Sequence, residues 1–483
     1  MDYEFTIIGS GLGGLTLAAL LTKEEKSVHL IEKNNRLGGC LGTFKRKNFT
    51  LETSLHVMNG VYSNENIINL FKKLDIYNNV DFISIPEFYS VKIDNKEYKL
   101  PIGINQLSNY LKSCFPEHEK EINKYFDLLN NIEEQIMDRS FVRNNMYQTA
   151  GEYIHKNIHN ETLKLLLSAN TLYYHDDPND FSLITHLFAQ SSFIKDSGYY
   201  IKNGSGSLVD YLEKYILSNN GKISKNSAVY NINYSKSEVT SIDYINNNRK
   251  YNSKVKNLVS NINPKITYDF MSKNSLDDTI NEMLPSNSLF NIYLGFSKQL
   301  KEIFPNNSYS TFFFETIKNI DDFKTNNNNP IEKRDFVFVD YSQINSGLTD
   351  NNSSVGIIVG VDYYNDWERL NSLEYKKKKK EVTKSMISKL ESYYPGISDY
   401  IIYSEMSTAK TVKKFTSNPN GSIYGFSQTP NQINRRFRQQ SKDFKNLFFV
   451  GAWTKPGGGY SSVMQSGLQV FNLLKRLEQL WLE

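Results

Sequence analysis

Apolar positions along the chain follow two periods, and the first cluster is the sharpest. Residues 5–8 are a short apolar run. Gly9-Ser10-Gly11-Leu12-Gly13-Gly14 follows, then a helical stretch over 15–22 and a second extended run over 28–32. That is a strand, a glycine turn, a helix and a strand, in order. From about 61 to 198 apolar residues recur at three- and four-residue spacing, as in 65–74 and 119–137, which predicts a mostly helical segment. Gly204-Ser205-Gly206 opens a further helix over 208–218, and short alternating strands fill 222–262. The runs 289–296, 310–317, 335–341 and 355–361 are β-branched or aromatic between polar loops and predict strands. Asn326 to Asn329 with Pro330 reads as a turn. A helix over 372–393 carries five consecutive lysines, Lys376 to Lys380. They read as a solvated face, with contact to anionic lipid headgroups as the alternative. Near the end, Val470, Phe471, Leu473, Leu474, Leu477 and Trp481 keep helical spacing, suited to core packing or to a membrane surface. There is no internal repeat.

At 483 residues the chain exceeds what one core holds, since cores stop growing at roughly 250–300 residues, so two lobes are expected. With 39% apolar and 22% charged residues it is globular. The charge is +4, from 56 basic and 52 acidic residues, and no basic cluster is interleaved with aromatics, so a nucleic-acid partner is not expected. The 32 Tyr and 29 Phe are enough to fill a core and also line a large apolar pocket. Cys40 and Cys114 make neither a metal-ligand spacing nor a disulfide framework, which suits a reducing compartment. The start runs straight into a strand without a signal-peptide pattern, and no stretch of about 18 apolar residues occurs. The expected location is cytoplasmic, with peripheral attachment to a membrane surface left open.

The glycine turn carries the first chemistry. Its first glycine permits the tight turn, the second lets the backbone approach a pyrophosphate, and the third lets helix and strand pack closely. The helix start then presents free N–H groups and a positive dipole end to phosphate. Glu32 closes the second strand roughly 20 residues on, where a carboxylate can accept from both ribose hydroxyls. Gly9, Gly11, Gly13, Gly14 and Glu32 therefore form a dinucleotide grip. After Lys33, a loop reaches the pair Gly38-Gly39 and continues as Cys40-Leu41-Gly42-Thr43-Phe44. A paired glycine lets that loop pass close to a pyrophosphate and ribityl chain, which points to FAD rather than NAD.

At this point the chain resembles the phytoene-desaturase group of flavoproteins, which includes carotenoid desaturases, carotene cis–trans isomerases and retinol saturases. The resemblance covers nearly the whole chain. Tyr200-Ile201-Lys202-Asn203-Gly204-Ser205-Gly206-Ser207-Leu208 resembles the entry to the family's middle flavin segment, with Asn203 in place of a usual glycine. Leu258-Val259-Ser260-Asn261-Ile262-Asn263-Pro264 is similar to its VVSNADP. Tyr394-Pro395-Gly396-Ile397 with Gly421-Ser422-Ile423-Tyr424-Gly425-Phe426 resembles FPGL…GxxYGF, and Phe449 to Gly459 resembles the closing VGAxTxPGxG. The resemblance implies cofactor contacts at Lys33, Thr43, Val229, Asn261, Gly451 and Ala452, and at the final helix start, Ser462 and Val463, near flavin N1 and O2. Cys40 stands where desaturases carry Arg, and Gly38 to Phe44 with Thr53-Ser54-Leu55-His56 looks closer to the saturase branch.

Hydride transfer at N5 is the cofactor's own chemistry, and an apolar polyene leaves side chains little to hold. The candidate catalytic residue is His56, a proton donor or a structural histidine. Glu52 reads as a loop-orienting or exposed carboxylate. Tyr199, Tyr200, Trp453 and Tyr460 are the expected pocket wall. Cys40 is a packing residue or a flavin-adduct thiol. His155 and His159, four apart, lack a third ligand, so no metal site is expected. The expected fold is α/β. A discontinuous Rossmann-type, glutathione-reductase-like FAD domain spans 1–60, 199–265 and 430–483. A helical cap spans 61–198, and an α+β substrate lobe with an antiparallel sheet spans 266–429. The expected substrate is a lipophilic polyene, saturated, desaturated or isomerised; the sequence names no electron donor or acceptor. The alternatives are an amine-oxidase-like enzyme on a polar substrate and a non-enzymatic lipid-binding escort.

Overall fold

Strands Phe5–Ile8 and Val28–Ile31 are buried along their whole length, as strands covered on both faces must be. In the computed structural model, which describes residues 3–94, 96–196, 198–274, 279–350, 352–433 and 435–480, they form the centre of a five-stranded parallel sheet. The order is Leu447–Phe449, Asn257–Ser260, Phe5–Ile8, Val28–Ile31, Lys222–Ser224. Three distant stretches of chain therefore build one sheet. Helix Leu12–Lys23 is buried on almost every side because helices Gly206–Ser218 and Tyr460–Leu480 pack on it. Val470, Phe471 and Leu474 are buried there, which resolves the tail toward core packing; Trp481 lies outside the described residues. A three-stranded antiparallel meander, Ser227–Ser235, Glu238–Asn246 and Arg249–Lys254, hangs beside the parallel sheet.

The second lobe is a seven-stranded sheet in the order Ile401–Ser407, Ser288–Phe296, Ser354–Asp362, Phe336–Asp340, Ser310–Phe314, Tyr89–Ile93, Lys96–Leu100. Pairing is antiparallel except between Ser310–Phe314 and Tyr89–Ile93. Its side chains alternate between two cores. Phe313, Phe336, Phe338 and Ile358 pack with Val382, Met386 and Leu390 of helix Ser372–Tyr393, while Phe312, Phe314, Val337, Val339 and Ile357 face the main core. On that helix Lys376, Lys377 and Lys380 are exposed, and Lys378 lies over the Trp367 ring, 4.8 Å from its centroid.

Two local expectations are corrected. The segment 61–198 is not helical throughout. Phe82–Ser84 pairs with Tyr199–Ile201, and the hairpin Tyr89–Leu100 completes the seven-stranded sheet, with helices running from Ile104 to Asp196. Tyr89, Val91 and Ile93 alternate at period two, a signal too short to register inside a helical stretch. The asparagine run 326–329 is not a turn but ends helix Asp322–Asn328. Asn326 and Asn327 are buried, Asn326 Oδ1 accepting from Asp335 N (2.8 Å) and Asn327 Nδ2 donating to Asp176 O (2.6 Å). Among the described residues no helix is long and apolar enough to cross a membrane.

Burial also sets an acid limit. His29 and His56 are held neutral, their pKa values pulled from 6.5 to about 4, and His186 to about 3. Unfolded, each would take a proton near 6.5, so the unfolded state binds more protons as pH falls below that value. Their contribution is fully present above pH 6.5 and is lost as pH falls toward 4. The melting temperature should drop across that window, and His29→Gln should flatten the drop. An equally steep acid limb in the variant would assign the loss to carboxylates instead.

Candidate active site

The glycine turn is held by contacts that leave no room for side chains. A Cβ on Gly14 would sit 2.5 Å from the Gly9 carbonyl oxygen, and one on Gly13 would sit 2.9 Å from Gly451 Cα. Asn261 Nδ2 donates to Gly9 O (3.2 Å), and Gly38 N donates to Ser10 O (3.0 Å). The first turn, the Gly38-Gly39 loop, Asn261 and Gly451 thus meet at one point. Gly11 caps helix Leu12–Lys23 without a side-chain hydrogen bond, which leaves that helix's first N–H groups facing outward from the turn.

Glu32 directly follows the neighbouring strand Val28–Ile31 and is buried. Its Oε2 accepts from Ser10 N (3.0 Å) and Ser10 Oγ (2.7 Å); its Oε1 accepts from Asn34 N (2.9 Å) and Asn34 Nδ2 (2.8 Å). One carboxylate therefore fastens the glycine turn to the loop behind it. Lys33 Nζ donates to Ser417 Oγ (2.5 Å) and Lys414 O (3.3 Å), closing the far side with helix Ala409–Thr416.

These groups line a cavity of about 1450 Å³. Ordinary ligand pockets run to roughly 1,000 Å³, so the space exceeds one such ligand. Every expected cofactor residue except Gly14 lines it, as do His56, Trp453 and Tyr460. Tyr199 and Tyr200 do not line it, which corrects that expectation. Pairing with Phe82–Ser84 turns Tyr200 into the core against Tyr341 (ring centroids 5.3 Å) and Tyr199 against Tyr62 (5.0 Å). Val463 N donates to Gly459 O (2.9 Å), so only the N–H groups earlier in the final helix are free to meet an acceptor.

Glu52 orients loops. Buried, it accepts from Ser54 N, Leu55 N, Ser205 N and Ser205 Oγ, joining the hairpin Thr43–Glu52 to the middle segment; burial pushes its pKa up. His56 faces the cavity edge-on to Tyr173 (5.4 Å), and its Nε2 has no protein partner among the described residues. Burial pulls the His56 pKa down to about 4, so it is expected to stay neutral near pH 6.5. His56→Gln should therefore keep its flavin and leave the shape of the rate–pH profile between 5 and 8 unchanged. A limb near 6.5 that disappears in the variant would show the opposite. Burial raises the Cys40 thiol to about 11, which suits packing rather than adduct chemistry. Tyr460 Oη lies 2.7 Å from Ser54 Oγ, and Trp453 stands edge-on to Phe426 at 4.9 Å. His155 meets Asp321 and His159 meets Glu121, and no metal-binding group of three occurs among the described residues.

The cap supplies a second wall. Phe88, Tyr89, Ile136, Asn170, Tyr173, Tyr174, Ile184, Thr185, Phe188, Ala189 and Phe193 line the cavity from the 82–198 side, and none carries a charge. Phe188 and Phe193 face the cavity, while Phe71, Tyr125 and Phe126 of the same segment are buried in the core. Gln428 and Arg436 line another part of the wall. They lie between two motifs, where no pattern marked them.

A profile of the family described as "Flavin containing amine oxidoreductase" matches residues 12–470. The chain belongs to this family. It is therefore a flavin-dependent oxidoreductase, and the α/β fold is the one expected. It is 22% identical to a 4,4'-diaponeurosporene oxygenase of Staphylococcus haemolyticus, covering 98% of this chain and 97% of that one. It is also 22% identical to an all-trans-retinol 13,14-reductase of Danio rerio, covering 93% and 82%. Among solved structures, a cyclohexylamine oxidase from Brevibacterium oxydans superposes with a TM-score of 0.64 at 13% identity, covering 98% and 100%. Carotenoid- and retinoid-processing enzymes are thus among this flavoenzyme's relatives, and amine oxidases share its fold.

Proposed function

We propose that this flavoenzyme binds FAD non-covalently and acts on C–C double bonds of a lipophilic polyene, as a saturase, desaturase or cis–trans isomerase. The observation that carries the reading is the uncharged wall of the cavity between residues 82 and 198. An ammonium substrate would want a carboxylate there, whereas a long hydrocarbon wants apolar surface and exclusion of water. The names of the two 22%-identical relatives support the same substrate class. We assign the cofactor to the discontinuous unit 1–60, 199–265 and 430–483, with the cap and the substrate lobe 266–429 closing over it.

The cradle suits a dinucleotide. The packed glycines would let backbone approach the pyrophosphate, and Glu32 would accept from the ribose. Bound flavin would supply hydride exchange at N5. The chain's own residues position and dry the site. Tyr460 and Trp453 would wall the ring, the start of the final helix would offer N–H groups to its pyrimidine edge, and Phe188 and Phe193 would exclude water from the hydrocarbon. Heat or acid should release intact FAD from the purified protein, identified by mass. FMN, a flavin-linked peptide or a colourless protein would refute the assignment. Titrating the flavin absorbance with retinol and with a short alkylamine tests the substrate class. A response to the retinoid alone is expected, and a response to the amine alone would move the enzyme to the amine-oxidase reading.

A further inference from the structure

One cationic side chain in the cavity wall is left without a counter-charge. Arg436 is buried, and among the described residues its Nη1 has no hydrogen-bond partner. Its Nη2 donates to Gln428 Oε1 at 3.5 Å. Among the described residues no carboxylate pairs with it, and burial pulls its pKa down to about 10. The contrast with Arg334, the other deeply buried arginine, is sharp. Arg334 donates to Asn329 O (2.8 Å), Val361 O (3.0 Å) and Asp366 Oδ2 (2.8 Å). The adjacent Arg435 lies outside and pairs with Glu282 at 2.6 Å. A guanidinium taken from water without a partner is costly, and folds do not retain one for stability.

The surroundings give this charge a direction. A Cβ on Gly457 would lie 2.2 Å from Arg436 Nη1, so the glycine turn after Pro456 is what admits the guanidinium. Gly458 packs on the Tyr424 backbone, and Tyr424 lines the same cavity as Gln428. Gln428 O accepts from Ser182 N (3.0 Å), where the cap meets the closing segment. The charged group therefore sits on the same cavity as the uncharged cap wall.

We infer that Arg436 anchors an anionic head group, a carboxylate at one end of a lipophilic substrate whose chain lies along the cap wall. The planar fork of a guanidinium matches a carboxylate with two parallel N–H donors. Among lipophilic molecules this selects acids over alcohols and hydrocarbons. The inference rests on the polyene reading for the chain but not for the head.

Flavin absorbance titrations of the holoprotein separate the two. Wild type should bind retinoic acid roughly ten- to a hundredfold more tightly than retinol, as expected for charge-assisted hydrogen bonds in a dry site. Arg436→Gln should bind both alike. Benzoate, which needs no long apolar wall, should perturb the flavin spectrum of wild type but not of Arg436→Gln, and benzamide neither. Arg436→Met, with no ligand added, should keep its flavin and melt no lower than wild type, since it removes an uncompensated charge. Equal affinity of wild type for retinoic acid and retinol would overturn the anchor. So would loss of flavin or a shifted reduction potential in Arg436→Gln, which would place the charge against the cofactor, or a clear fall in melting temperature for Arg436→Met. If benzoate binding depends on Arg436 while neither retinoid binds, the anchor stands and the polyene reading falls.

Discussion

Glu32→Ala should leave the protein nearly colourless after gel filtration. The carboxylate already accepts four hydrogen bonds, two from backbone N–H groups and two from the side chains of Ser10 and Asn34. A carboxylate offers about four lone-pair sites. We expect the two side-chain donors to rotate away when FAD binds, giving their places to the ribose hydroxyls while the backbone donors stay. Each charge-assisted bond is worth about 1.5–3 kcal/mol, so losing both weakens FAD more than roughly tenfold. The loosened turn at Ser10 adds to that loss. Because bound cofactor stabilises the fold by mass action, the melting temperature should fall in step and recover partly with excess FAD. The check is the flavin-to-protein absorbance ratio with the melting temperature at several FAD concentrations. Unchanged occupancy would show that another acid holds the ribose.

Ala189→Trp should block the apolar wall. Ala189 lies on helix Leu183–Asp196 and lines the cavity between Phe188 and Phe193. An indole there occupies space the hydrocarbon needs, while the flavin cradle is untouched. Displacing a reacting chain by an ångström costs about a hundredfold, so turnover of a long polyene should fall at least roughly that far. FAD content should not change, and Ala189→Ser should behave as wild type. If the tryptophan variant turns over the long substrate normally, the chain does not run along this wall.

How much of this was legible depends on how local each signal is. The cofactor cradle reads from sequence because a strand, a glycine turn, a helix and an acid must sit close together for steric and electrostatic reasons. Gly13 and Gly14 are marked by contacts that any side chain would violate. The hairpin Tyr89–Leu100 was hidden because its partner strand, Ser310–Phe314, lies more than 200 residues away, and only that pairing makes its short alternation a strand. Tyr199 and Tyr200 sit next to a flavin motif in sequence, yet an antiparallel neighbour turns both away from the cavity. Arg436 was invisible for a different reason. An arginine in a polar stretch reads as surface, and only the packing against Gly457 and the missing partner make it informative.

The central claim is redox or redox-neutral chemistry at a polyene C–C bond. The most direct test incubates the holoenzyme anaerobically with a candidate polyene, once with oxidised and once with reduced flavin, and weighs the product. The account predicts a gain of two hydrogens with reduced flavin, a loss of two with oxidised flavin, or an unchanged mass with altered double-bond geometry. Polyene recovered unaltered from both, while a primary amine reduces the flavin and yields peroxide in air, would contradict it.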